Sequence, residues 1–374
     1  MTVQVRSFAK INVGLRIGAR REDGFHELLT VYQTLALHDV IGVSVSRGGE
    51  IEIRCDDARV PCDESNTCYR IVEKALRALN AKARVVIDIE KRLPVQGGMG
   101  GASSNAVAAL LGLERALKKP LSAGERLRVA AEVGSDLPLF LVGGTVLGLG
   151  RGELVYPLED WPAVACVVIT PEVGVSTPKA FAQWDRLMAR GLKPDSKQDS
   201  DAALKRRSST VALDAVVSDM APNAASLRLA STGEGARRSM SGVSLTTDSA
   251  SDRMGELSRE FSAWLSESYS GAPDLRGRAE NLLLGLVRTG IQNDFEQVVF
   301  PEYPELSEGK KALVLAGAKY ASLSGSGSTL YGLFGSTEAA RAGAKTLQRQ
   351  GWPARATVTL TRKQYWRKFL VSSF

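Results

Sequence analysis

Residues 93–113 read LPVQGGMGGASSNAVAALLGL. Gly97, Gly98, Gly100 and Gly101 fall within five positions, directly before small and apolar residues at helical spacing. A glycine loop that opens a helix lets backbone N–H groups approach an anion, because no Cβ blocks the path and the helix dipole adds partial positive charge. Taken alone, such a loop serves equally as a mobile turn between a strand and a helix. Ser103, Ser104 and Asn105 favour the anion, since they place hydrogen-bonding side chains in the first turn beside unsatisfied amides. The loop is not a GK[ST] phosphate loop, and GGMGG lacks the spacing of the dinucleotide fingerprint.

The rest of the chain bounds that reading. Its 374 residues exceed one ordinary core, so two domains are expected, and 44% hydrophobic with 24% charged residues is a globular composition. No stretch reaches the roughly 18 to 20 uninterrupted apolar residues of a membrane span, and the first ten residues lack the apolar centre of a signal peptide. A cytoplasmic protein without a membrane partner is expected. Cys55, Cys62, Cys68 and Cys166 show no CxxC spacing, and His26 and His38 are the only histidines, so free thiols and no structural metal are expected. A formal charge of +7 fits an anionic partner. Phosphorylated small molecules satisfy it as well as nucleic acid does, and no nucleic-acid partner is expected.

Alternation of β-branched residues predicts strands at 3–18, 40–46, 51–55 and 83–93, with helices over 66–80, 104–118 and 124–134 and a hairpin over 143–158. A second set follows: a strand from 163, helices over 177–189, 276–290, 304–317 and 337–349, a strand pair over 320–334 and a last strand at 354–362. This order predicts an α+β fold of two domains, residues 1–158 and 159–374. Between Trp184 and Phe261 no aromatic residue occurs, while Ser, Ala, Asp and Arg accumulate. Such a segment buries little apolar area against an ordering cost of about 1–2 kcal/mol per residue, so 190–255 reads as a flexible insertion with one helical piece at 211–221.

LPVQGGMGGASSNA resembles the ATP loop of the GHMP kinase superfamily. Three further stretches resemble its other motifs in order: FAKINVGLRIGARREDGFHEL (8–28), GSDLPLFLVGG (134–144) and SLSGSGSTLYGLF (322–334). The first of these and the long glycine loop resemble the branch that phosphorylates a diphosphocytidyl methylerythritol. The resemblance implies an N-terminal domain like the second domain of ribosomal protein S5, a ferredoxin-like C-terminal domain and an active site between them. It also implies ATP with Mg²⁺ as phosphoryl donor, a small cytidyl alcohol as acceptor at its 2-hydroxyl, and a homodimer as one permitted assembly. Another small-molecule kinase of the superfamily, or a non-catalytic member, is the alternative; Lys10 and Asp136 argue against the latter.

By resemblance, Asp136 is the general base and Lys10 the catalytic lysine. A carboxylate in reach of an alcohol orients it and accepts its proton, and an ammonium offsets charge growing on the phosphoryl group. Asp136 reads otherwise as a turn or N-cap residue, and Lys10 as a surface lysine, although it interrupts an apolar strand pattern. Asn12 projects from the same strand face and faces substrate oxygens. Pro94, Gly97, Gly98, Met99, Gly100, Gly101, Ala102, Ser103 and Ser104 form the implied ATP loop, with Asn66 on the adenine side or as a helix cap. Gln96 and Ala102 stand where the family commonly has glycine. His26 is the implied cytosine-reading histidine, beside Phe25 where relatives commonly carry Tyr. Phe181 is a base-stacking ring or part of a helix core face, and Thr177 begins the same helix. Gly325 and Gly327 bring the second domain's backbone to the ligand, or form a tight turn.

Overall fold

A computed structural model describes residues 2–95, 97–189 and 291–371. Gln96, the insertion expected at 190–255 and the helix expected at 276–290 lie outside the described residues. The fold is α+β, built on two sheets.

Two long strands dominate the first half. β1 (Thr2–Arg20) pairs antiparallel with β2 (His26–Ser46) along nearly its whole length. β3 (Ile51–Cys55) runs parallel to β4 (Arg84–Glu90), which pairs with the second half of β2. β5 (Thr145–Leu149) pairs with the first half of β2, and β6 (Leu154–Pro157) closes the edge. The sequence predicted only 40–46 of β2. Val31, Tyr32, Gln33, Thr34 and Leu35 are all buried, so both faces of this stretch are covered and the period-two signal is absent.

Four helices cover one face of this sheet: α1 (Thr67–Ala78), α2 (Gly101–Leu117), α3 (Ala123–Val133) and the short α4 (Leu137–Val142). α3 starts with a capping box between Ser122 and Glu125, which fixes its first turn. Val5, Phe8 and Val43 pack there against Ile71, Leu110 and Phe140.

The second sheet has the order β10-β7-β9-β8. β7 (Ala165–Ile169) and β9 (Leu330–Phe334) are buried throughout, between β10 (Ala354–Val358) and β8 (Tyr320–Leu323). On β7, Cys166 and Val168 face the first sheet and join Ala9, Ile11, Val13 and Leu35. Ala165, Val167 and Ile169 face the helices α5 (Thr177–Ala189), α6 (Glu296–Glu302), α7 (Pro304–Leu315) and α8 (Thr337–Arg349). β1 is therefore packed on both sides, by helices on one and by the second sheet on the other. The loop 158–164, which holds buried Trp161, joins the two sheets close to the division expected at residue 158.

The last helix, α9 (Arg362–Phe369), was not predicted; the strand expected to run to 362 ends at Val358. Although it follows the second sheet, α9 packs with the first: Leu370 bridges to Val5, and the Tyr365 ring lies 5.2 Å from Phe8. The Tyr365 hydroxyl donates to the Phe140 carbonyl at 2.7 Å. Tyr365→Ala removes that bond and a large ring from a dry site, which costs about 3–5 kcal/mol. Thermal unfolding should fall by several degrees while the ATP affinity of the folded fraction is unchanged. An unaltered melting temperature would show that α9 is not part of the first core.

Candidate active site

β1 is irregular where it carries polar side chains. Register shifts fall between Phe8 and Lys10 and between Asn12 and Gly14, and such bulges re-aim side chains locally. Lys10 and Asn12 share one face, and Tyr32 lies opposite Asn12 on β2. Lys10 is 3% exposed. Its Nζ donates to Asn12 Oδ1 at 2.7 Å, faces Asp136 Oδ2 at 3.3 Å and lies 5.5 Å from the centre of the Tyr32 ring. Asn12 in turn donates to Thr30, and Thr30 to the Gly14 carbonyl, so the asparagine oxygen is fixed toward the ammonium.

Asp136 occupies the N-cap position of α4 but makes no side-chain cap bond. Its Oδ1 instead accepts from the Tyr32 hydroxyl at 3.2 Å. Burial, then the adjacent Asp136 charge, push the Tyr32 phenol well above its ordinary value, so it remains a donor. The carboxylate is one-third exposed and is held between a phenol and an ammonium, with an open side from which an alcohol can reach it.

The glycine loop lies against this group. Lys10 N donates to the Met99 carbonyl, which ties the loop to β1. Gly98 and Gly100 have φ of +74° and +67°, a conformation that L side chains rarely adopt. A Cβ on Gly100 would press on Phe140 and Lys10, and one on Gly98 would lie 2.5 Å from the Ser324 carbonyl. Gly100 caps α2 without a side-chain hydrogen bond, so the first amides of a 17-residue helix face the cleft with Ser103 beside them and Ser104 buried. Ala102 is the second helical residue, where negative φ is required, so an alanine fits.

The C-terminal glycine motif closes on this loop. Ser324 Oγ donates to the Gly98 carbonyl, and Thr329 N to the Gly97 carbonyl. At Gly325, a Cβ would lie 3.4 Å from Asn12 Oδ1 and 3.6 Å from Lys10 Nζ. Gly325 and Gly327 both have positive φ, so this turn too is shaped for backbone approach. Pro94, Gly97, Met99 and Asn66 line a cleft of ≈350 Å³ together with the start of α2. The Asn66 side chain is already engaged: it accepts from Cys68 N and donates to the Pro61 carbonyl, so the structure gives it the capping role.

The residues expected to meet the base make contacts of their own. His26 is buried, and its Nε2 donates to Asp185 at 2.7 Å. Only Nδ1 and the neighbouring backbone remain to address a base edge. Phe181 stacks on His26 with ring centres 4.9 Å apart and meets Phe295 edge to face. One face of Phe181 is thus covered by a protein ring, and a base stacks there only on the other side or by displacing His26. Phe25 is 51% exposed. Thr177 is exposed, with its hydroxyl 2.7 Å from Ser326 of the C-terminal glycine motif.

Several residues in this arrangement escaped sequence reading. Tyr32 and Thr30 lie on the unpredicted half of β2. Lys91 pairs with fully buried Asp39 at 2.6 Å and reaches the start of α2. Asn293 donates to the Leu323 and Gly325 carbonyls, Asp294 accepts from Ile17 N, and Glu296 accepts from Ser322 and Leu323 N. Segment 293–296 therefore fastens the C-terminal glycine motif to β1. Two acidic residues beside Asn293 in QNDFEQ were the only signal, and nothing in their spacing marks them.

A partly exposed carboxylate against a buried ammonium, bordered by two glycine turns, is the kind of arrangement that serves phosphoryl transfer to a small alcohol. The models for the GHMP kinases N terminal domain and for GHMP kinases C terminal match residues 66–144 and 271–352. The chain is 30% identical to a 4-diphosphocytidyl-2-C-methyl-D-erythritol kinase of Solibacter usitatus, over 88% of this chain and 80% of that one. It is 31% identical to the kinase of that name from Synechococcus sp., over 91% and 88%. A crystal structure of a 4-(cytidine 5'-diphospho)-2C-methyl-D-erythritol kinase superposes with a TM-score of 0.61 at 25% identity, covering 95% of this chain and 98% of that one. A mevalonate kinase structure matches at 0.60 with 10% identity and supports the fold alone. The chain belongs to the GHMP kinases, in the family of 4-diphosphocytidyl-2-C-methyl-D-erythritol kinases.

The contact between the two loops has a direct test. Gly98→Ala places a methyl against the Ser324 carbonyl in a left-handed conformation that costs about 1–2 kcal/mol by itself. The KM for ATP should rise about tenfold or more, as 1.4 kcal/mol corresponds to a factor of ten. Gly124→Ala, where an added Cβ meets nothing, should leave ATP affinity unchanged. Equal behaviour of the two variants would contradict the closely packed loop.

Proposed function

We propose that this chain transfers the γ-phosphoryl group of ATP to the 2-hydroxyl of 4-diphosphocytidyl-2-C-methyl-D-erythritol, a step of isoprenoid precursor synthesis. The observation that carries it is the Lys10–Asp136 pair, half-open on the carboxylate side and bordered by both glycine turns. Family membership supports the choice of alcohol.

Asp136 accepts the hydroxyl proton as the new O–P bond forms, while the Tyr32 phenol and the Lys10 ammonium hold the carboxylate in place. Lys10, with the amides at the start of α2, offsets the charge that spreads over the phosphoryl oxygens. Asn12 orients the ammonium. A side chain at Gly98 or Gly100 would collide with Ser324, Phe140 or Lys10, so the loop is bare backbone whose amides, with those at the start of α2, are suited to a triphosphate. Magnesium enters this reading with ATP, where it neutralises phosphate charge. Among the described residues no three His, Cys, Asp or Glu side chains form a cation site, and an ion held chiefly by phosphates and water requires none. The division into residues 1–158 and 159–374 is kept in this reading, with the glycine loop supplied by the first part, the C-terminal glycine motif by the second, and α9 packing with the first. The setting in this reading is the cytoplasm and the partners are small molecules. Among the described residues no helix is long and apolar enough to cross a membrane. A homodimer is compatible with this reading and is not needed by it.

Asp136→Asn keeps the shape but cannot accept a proton. Turnover should fall about 10²- to 10⁴-fold, the usual contribution of a general base, with the KM for ATP nearly unchanged. A loss below about threefold would remove Asp136 from the chemistry. ADP release by the wild-type chain should require the cytidyl alcohol. Comparable turnover of mevalonate or homoserine would contradict the substrate, and no turnover of any alcohol would contradict the kinase reading.

A further inference from the structure

We propose that Arg151 binds the diphosphate of the nucleotidyl substrate. This inference rests on the kinase reading above and names a residue that neither the motifs nor that mechanism used.

Arg151 sits in the turn between β5 and β6, flanked by Gly150 and Gly152 with φ of +70° and +103°. The turn is anchored on both sides. The Gly150 carbonyl accepts from Leu28 N at 2.6 Å, two residues beyond His26. A Cβ on Gly152 would press on the Tyr32 hydroxyl and lie 3.7 Å from Asp136 Oδ1. The Arg151 guanidinium carbon is 5.0 Å from the centre of the Phe25 ring. One side of the turn thus touches the residues placed at the base, and the other touches the group placed at the accepting hydroxyl. A substrate whose base and hydroxyl are joined through a diphosphate lays that diphosphate across this turn.

The arginine is held yet its donors are not used up. Its Nε is shielded from solvent and has no hydrogen-bond partner. Glu153 approaches Nε only to 3.5 Å and gives its other oxygen to the Arg151 backbone amide at 2.6 Å. Asp23, the other carboxylate on this side, accepts from Arg21 and from Phe25 N. The side chain is 30% exposed, so part of the guanidinium remains open to solvent beside Phe25. A planar fork fixed by an aromatic face is suited to two phosphate oxygens, and a lysine supplies charge without that fork.

The test is titration of the full chain with cytidine diphosphate and with cytidine, for wild type, Arg151→Gln and Arg151→Lys, with melting temperatures measured alongside. Wild type should bind the diphosphate more tightly than the nucleoside. Arg151→Gln should weaken the diphosphate roughly ten- to hundredfold, leave cytidine unchanged and spare the KM for ATP, as expected for loss of charge-assisted hydrogen bonds. Arg151→Lys should recover part of the difference. Equal weakening of both ligands would make Arg151 a mere support for Phe25, and no change in either would remove it from the site; both overturn the proposal. The titrations do not depend on turnover. Tight diphosphate binding that Arg151→Gln abolishes, in a chain that phosphorylates no alcohol, would therefore overturn the kinase reading and uphold Arg151 as the diphosphate ligand.

Discussion

A buried ammonium cannot be left unpaired, and this one organises the molecule. Lys10 is enclosed between helices and a second sheet, where an isolated charge is costly. Its partners come from separate pieces of chain: Asn12 from β1, Asp136 from the start of α4 and the Tyr32 ring from β2. Each is braced in turn, Asn12 by Thr30 and Asp136 by the Tyr32 hydroxyl. The requirement to satisfy one charge thus fixes the geometry of Asp136, the residue proposed to activate the alcohol. That geometry holds only while β1 is covered on both faces, which ties the site to the packing of the two sheets.

Backbone does the complementary task. The two glycine turns touch through the carbonyls of Gly97 and Gly98, which accept from the Thr329 amide and the Ser324 hydroxyl. Segment 293–296 holds the C-terminal turn against β1 through Asn293 and Asp294. A phosphate site assembled this way is rigid before ligand arrives, so little ordering remains to be done on binding. The side chains at the base end are more loosely committed. Phe25 is largely exposed, while His26 and Phe181 stack on each other. One face of Phe181 is covered by His26, whose ring is itself buried and bonded to Asp185.

What the sequence disclosed follows from range. Helices with a polar outer face were legible: α5 and α8 begin and end where their periodicity does, and α1 is set by its asparagine cap. Lys10, Asp136 and the glycine loop were legible because local motifs carry them. The first half of β2 was not, since burial on both faces erases alternation, and α4, α6 and α9 are too short to show a period. Tyr32, Lys91 and Asn293 meet partners remote in sequence, which no spacing encodes. Asn66 was legible as an adenine-side contact or a helix cap, and the cap forms: its Oδ1 accepts from Cys68 N while its Nδ2 donates to the Pro61 carbonyl.

The central claim is that Lys10 and Asp136 act as one unit. Single-turnover rates for Lys10→Met, Asp136→Asn and the double variant measure this directly, because groups that act together are strongly non-additive while independent groups multiply. If the two act as one unit, the double variant should be about as slow as the slower single one. Rate losses that multiply across the cycle would contradict it, and would mean that the 3.3 Å approach of ammonium and carboxylate is not what drives the reaction.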